Sequence, residues 1–263
     1  MKVLVPIKHV GSLSENYELP DSGLVDRADI NWSINEWDEF SVEAALQLRD
    51  TAAGGEVTVV TIGDGETTEG LVSSLARGAD RAVRVWDPAL ADADPMTVAR
   101  VLAAIIKREQ PDVVLCGAKS ADEGHGATGI ATAALAGLPH VAVVSEIKLE
   151  TRRSLVVARE LEEGLRQRLR VRLPALLTLQ TGVNEPRYVA VSTMSAARRR
   201  PIETFGLADL HVDDNRPRAH VVRRIVSPQD PHVEMLSGSA AQAAQAILDI
   251  VAERTGALVV EPA

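Results

Sequence analysis

The sequence predicts an α/β protein built on a doubly wound, mainly parallel sheet, extended by a C-terminal hairpin, an arm and a terminal helix. Three observations predict it. Apolar β-rich runs alternate with helical runs from Met1 to about Val144, the pattern of strand–helix–strand units. Aromatic residues are only 3% of a chain that is 46% hydrophobic, so Ala, Val and Leu must fill the core, as they do in sheets covered by helices. Finally, the run "DVVLCG" enters the glycine-dense stretch "AKSADEGHGATG" before a helix of small residues, a strand–loop–helix arrangement that lets backbone approach closely.

The elements follow in order. Candidate strands are "KVLVPIKHV", "EVTVVTIG", "RAVRVWD", "DVVLCG" and "HVAVVSEI". Between the first two, Asn35 is the expected N-cap of a helix, with Asp38 and Glu39 in its first turn where carboxylates favour the helix dipole. Trp37, Phe40, Ala44, Ala45 and Leu48 make its apolar face, while Glu43, Gln47 and Arg49 are expected to face away. Further helices are expected over Thr67–Arg77, Met96–Arg108 and Gly126–Ala136. From Glu146 the period changes to two: "SLVVARE", a turn at Glu162-Glu163-Gly164, then "LRQRLRVRL", with Leu169, Val171 and Leu173 on one side and Arg168, Arg170 and Arg172 on the other. This is a hairpin with one wet face. A last strand "ALLTLQTG" leads into the loop "VNEPRYVAVSTMSAARRR". Pro201 to Met235, rich in Pro, Asp and Arg, reads as an arm, and Ala240, Ala244, Ile247, Leu248 and Val251 form one apolar face of a terminal helix.

Composition narrows the function. One cysteine among 263 residues excludes an internal disulfide and fits a reducing cytoplasm; Cys116, at an apolar strand end without a second thiol, reads as a buried small hydrophobe. No charged-then-apolar leader opens the chain, and the apolar region from Ala127 to Val144 is interrupted by Gly137, Pro139 and His140, so a soluble protein is expected. A net charge of −9 argues against a nucleic-acid partner, and the arginine clusters at Arg166–Arg172, Arg198–Arg200 and Arg216–Arg224 suit a protein partner at least as well.

Glycines between a strand and a helix let main-chain N–H groups approach an anion, and the helix N-terminus adds partial positive charge, so a phosphate is the natural ligand of Cys116–Gly129. With a spatial order 3-2-1-4-5, strands one and four are neighbours. "PIK" at Pro6–Lys8 and "CGAKS" would then flank one crevice at the topological switch point, rimmed by the Asn35 helix start. No GxxxxGK[ST] cradle and no acid pair for a metal are present, which favours binding without turnover. Asp122 and Glu123 would repel a phosphate if aimed at it, so they are expected to cap amides, meet a ribose or face solvent. His125 is expected to be a polar loop residue, since no nucleophile with an orienting acid can be placed beside it.

Several stretches together resemble the beta subunit of electron transfer flavoproteins: "VLVPIKHV", "INEWDEFSVEAAL", "GADRAVRVWD", the glycine loop, "VARELEEG", "LPALLTLQTGVNEPRY" and "AARRRPIE". The resemblance covers nearly the whole chain, and "NEWDEFS" with "RVWD" is most similar to the branch of methylotrophic bacteria. It implies a Rossmann-like fold of the adenine-nucleotide-binding superfamily, with residues 1–200 as the nucleotide-binding domain and 201–263 as an arm and helix packing on the alpha subunit. It also implies a non-catalytic electron carrier, half of a heterodimer. FAD is held mostly by alpha, donors are flavin-dependent dehydrogenases, and the acceptor is a membrane quinone oxidoreductase or similar.

By the same resemblance the beta subunit holds AMP. Matching pocket positions are Pro6, Asn35, Glu36, Trp37, Asp38 and Ile62, followed by the loop residues Gly117, Ala118, Lys119, Ser120, Ala121 and Asp122. Glu123, Gly124, His125, Gly126, Ala127 and Thr128 complete them. Pro186 to about Arg200 matches a loop that docks on dehydrogenases, with Val191 as apolar anchor and Tyr188, Met194 and Arg198 around it. Glu160 matches a carboxylate that contacts the mobile flavin domain; beside this stands the plainer reading of a solvated strand charge. Leu13 falls where some relatives place a tyrosine against the flavin ring, so an aromatic contact is not implied. Two alternatives remain open: a bifurcating-type subunit with a second FAD in the AMP site, and a stand-alone ATP-binding regulator of the stress-protein type.

Overall fold

In the computed structural model, which describes residues 1–14, 17, 18, 20, 25–220 and 235–256, the chain separates into two units, Met1–Arg223 and Arg224–Ala263. The first unit opens with β1 (Lys2–Pro6), β2 (His9–Ser12) and β3 (Asn31–Ile34), then α1 (Glu36–Thr51), β4 (Glu56–Ile62), α2 (Thr68–Arg77) and β5 (Arg81–Val85). It continues with α3 (Pro95–Glu109), β6 (Val113–Gly117), α4 (Thr128–Ala136), β7 (His140–Thr151), β8 (Ser154–Glu160), β9 (Arg166–Arg172) and β10 (Ala175–Leu179). Helix α5 (Val191–Ala197) and β11 (Glu203–Phe205) close it.

The main sheet has the order β11-β5-β4-β1-β6-β10-β7-β8-β9, parallel from β11 to β7 and antiparallel through the β7-β8-β9 meander. Its apolar residues feed two layers: α1, α2 and α5 pack on one face, α3 and α4 on the other. The neighbours β5-β4-β1-β6 stand in the expected order. The expected adjacency of the fourth and fifth strands does not hold, because β10 lies between β6 and β7. The run "ALLTL" is buried at all five positions, and a strand with both faces covered belongs in a sheet centre.

The opening run is two strands. Pro6, without an N–H, ends β1, and β2 turns away to pair antiparallel with β3. The hairpin agrees with its period: Val171 is buried, Leu169 partly so, and the arginines between them are exposed. At the expected start of the arm, β11 lies parallel to β5, and Leu207 and Leu210 are buried beyond it. Asp94 caps α3 by accepting from the Thr97 amide at 2.7 Å, and its second oxygen accepts from the amides of Arg218 (2.6 Å) and Ala219 (3.1 Å). Residues 221–234 of the expected arm, with the end of the Arg216–Arg224 cluster, lie outside the described residues.

Helix α1 departs most from its pattern. Ser41 through Leu46 are all buried, and Glu43, expected outside, is 4% exposed. The reason is tertiary: residues 183–200 fold back across the helix, and the Arg187 guanidinium covers the Glu43 carboxylate. Arg49 is also drawn in, donating to the Gly78 carbonyl at 2.8 Å. The second unit contributes α6 (Ala240–Thr255), started by a capping box of Ser239 and Gln242 and stopped at left-handed Gly256, with Ile247, Leu248 and Val251 exposed.

Candidate functional site

A crevice of about 370 Å³ opens outside the carboxyl ends of β1, β4 and β6. Chain connections leave β1 toward β4 on one side and reach β6 on the other, so this is the switch point where open α/β sheets bind ligands.

Two buried residues of α1's N-terminal end build its rim. Asn35 is 2% exposed and holds the N-cap position, yet its side chain makes no capping bond. Its Nδ2 donates to the Lys119 carbonyl at 3.0 Å and its Oδ1 accepts from the Ala121 amide at 3.0 Å, gripping the loop as another backbone segment would. Asp38, 4% exposed, accepts from the Lys8 amide through Oδ2 (2.8 Å) and from the Gly117 amide through Oδ1 (2.9 Å). One carboxylate therefore ties the end of β1 to the end of β6. Burial pushes its pKa up to about 6, with the two amides working against that rise.

The loop itself is a closed turn. The Ser120 amide donates to the His125 carbonyl at 3.1 Å, and the Gly124 amide to the Ser120 carbonyl at 3.0 Å, with Gly124 left-handed at φ 66°. Gly117 sits so close to α1 that a Cβ would lie 2.5 Å from Asp38 Oδ1 and 2.6 Å from Trp37 Cβ. Only a residue without a side chain lets the end of β6 come this close to α1. Asp122 and Glu123 are engaged by Lys8, whose Nζ lies 2.8 Å and 3.5 Å from their carboxylates; Asp122 also accepts from the Glu123 amide. Burial raises the Asp122 carboxyl, but the Lys8 ammonium outweighs it and holds the group below its usual range. Glu123 reaches the exposed His125 Nδ1 at 3.2 Å. Cys116, buried near the end of β6, lines the crevice, and burial pushes its thiol far up, which makes it inert.

Of the positions singled out in the sequence, Pro6, Asn35, Asp38, Ile62 and Gly117 line the crevice, with Lys119, Ser120, Glu123, His125 and Thr128. Ala118, Ala121, Asp122, Gly124, Gly126 and Ala127 belong to the loop without lining it. Glu36 is exposed, and Trp37 stands behind the loop, its ring 4.9 Å from Lys119 Nζ and its Nε1 donating to Gln180 at 3.3 Å. Leu13 is exposed after β2, away from the lining. The lining also includes Val60, Trp86, Leu90, Val98 and Leu102, from β4, the end of β5, the 3-10 turn that follows it and α3. Their signal was present: the runs "VVTIG" and "RVWD" end at the same edge of the sheet as the glycine loop.

Glu160 is exposed and pairs with Arg166 of its own hairpin at 3.0 Å. Tyr188 and Val191 are 89% and 78% exposed, whereas Met194 packs against the core and Arg198 meets Glu69.

A doubly wound sheet with a glycine-lined crevice at its switch point defines a Rossmann-like ligand-binding protein. No group of His, Cys, Asp and Glu side chains able to hold a metal occurs among the described residues, and no helix among them is long and apolar enough to cross a membrane. The family model for the electron transfer flavoprotein domain matches residues 22–210. The chain is 38% identical to the electron transfer flavoprotein subunit beta of Methylophilus methylotrophus, over 98% of this chain and 100% of that one. It is 34% identical to the subunits beta of Bradyrhizobium diazoefficiens and of Bos taurus, each over 81% of this chain and 84% of the relative. The chain belongs to the electron transfer flavoprotein family as a beta subunit, a non-catalytic carrier component.

Proposed function

We propose that this beta subunit pairs with an electron transfer flavoprotein alpha subunit into a heterodimer carrying one FAD, held mostly by alpha, and one AMP in the beta crevice. The assembly moves electrons in the cytoplasm from flavin-dependent dehydrogenases to a membrane quinone oxidoreductase or similar acceptor. The observation that carries the reading is the glycine-lined crevice with its loop locked by Asn35 and Asp38.

The residues fit a nucleotide monophosphate. Main-chain amides of the loop and the first turn of α4, which no side chain caps, suit a phosphate, and Pro6, Val60 and Ile62 offer an apolar wall to a base. By engaging Asp122 and Glu123, Lys8 compensates the negative charge that would otherwise oppose such a ligand. FAD, when bound, supplies the redox chemistry of the complex. This chain's residues bind, hold the loop and present the outward Tyr188 and Val191 to partners.

The test is cofactor analysis of the heterodimer co-purified with its alpha subunit, by absorbance and mass of the released molecules. One FAD and one AMP per heterodimer is the expected result. Two FADs would replace the reading by a bifurcating-type carrier, and ATP without flavin by a stand-alone regulator.

A further inference from the structure

Residues 183–200 lack regular structure until α5, yet they are fastened at both ends. At the near end, Asn184 Nδ2 donates to the Phe40 carbonyl at 2.9 Å. Arg187 gives the Glu43 carboxylate Nε at 2.7 Å, Nη2 at 3.0 Å and its own backbone amide at 3.3 Å. Gln47 donates to the same carboxylate at 3.1 Å. At the far end Arg198 meets Glu69, and Arg200 donates to the carbonyls of Ala79 and Asp80. Between the two fastenings Val189 and Met194 press on the core, while Tyr188 and Val191 point to solvent.

The near fastening is unusual in kind. Glu43 is an acid on a helix face that would ordinarily be solvated, yet it is buried and paired with the residue that precedes Tyr188. A fork-on-fork contact that also holds the backbone amide of Arg187 fixes both the side chain and the main chain at the entry to the exposed pair. A segment held in its binding pose loses less freedom on association, so the gain appears in affinity.

We propose that Glu43 and Arg187 are positioning residues that set the pose in which Tyr188 and Val191 meet a partner dehydrogenase. This rests on the docking role of residues 186–200. The pair lies outside the crevice lining, so it acts on encounter and leaves turnover at saturation alone.

The test uses the intact heterodimer with E43Q, R187K and, as a control of the docking role itself, V191D. Electron uptake from a flavin dehydrogenase is measured against carrier concentration, with FAD content and amide hydrogen exchange over residues 187–195 followed in the same preparations. E43Q and R187K should each raise KM for the carrier about tenfold, with kcat and FAD content unchanged and exchange at 188–192 accelerated. R187K keeps the charge and loses the fork, so it separates geometry from net charge should E43Q fold poorly. Accelerated exchange with KM unchanged in R187K, while V191D raises KM, overturns the inference and leaves the docking role standing. No effect of V191D on uptake removes the docking role and the inference with it.

Discussion

At the scale of the residue, Asp38 shows how a buried charge can be retained for shape. Its carboxylate bonds the amides of both Lys8 and Gly117, and it does so as an acceptor on both oxygens. An amide there would turn one acceptor into a donor facing an N–H, so Asp38→Asn is expected to lower stability by about 1–3 kcal/mol in urea unfolding at pH 7. The pH dependence has a definite sign. The folded-state pKa, raised to about 6, lies above the ordinary 3.8, so the folded protein binds this proton more readily than the unfolded chain. The burial cost is present in full above pH 6 and fades as pH falls from 6 toward 3.8. D38N should remove that part of the stability profile, and a profile unchanged by D38N would show the carboxyl to be ordinary. Gly117→Ala drives a Cβ against Asp38 and Trp37, and should reduce the nucleotide recovered per purified heterodimer and lower the melting temperature. Gly117 and Asp38 were legible as site positions. The Glu43 environment was not, because helical spacing says nothing of a segment returning from 144 residues downstream.

At the scale of the element, the four strands β5, β4, β1 and β6 could be ordered from the alternation of strands and helices, since each crossover leaves little choice of neighbour. Strand β10 could not, because it enters the centre only after the β8–β9 excursion, and nothing local to "ALLTL" names its neighbours. The start of α3 shows an element serving two ends of the chain. Burial alone would raise the Asp94 carboxyl, but the amides of Thr97, Arg218 and Ala219 overcome it and hold it at about 2. A folded pKa depressed below 3.8 contributes stability that is complete above pH 3.8 and is lost as pH falls through about 2. Asp94→Ala should cost about 1–2 kcal/mol as a lost cap, read by urea unfolding. It should also speed tryptic cleavage after Arg218, where wild-type backbone is tied to α3; equal cleavage would mean the tie is dispensable.

At the scale of the whole molecule, a ligand that binds only the folded form adds stability by mass action. On the proposed function, removing AMP from the heterodimer should therefore lower its unfolding free energy, by about 2.7 kcal/mol relative to a sample at a hundred times Kd. The check is the melting temperature of dialysed protein against protein resupplied with AMP, the FAD spectrum being unchanged. Among the described residues, the sheet that supports this site ends in two border strands. One is β11, only three residues long. The other is β9, whose Arg166, Arg168, Arg170 and Arg172 all stand on one face. Short length and repeated cations discourage a second copy from adding strand to strand, so the isolated chain is expected to resist polymerising into fibrils.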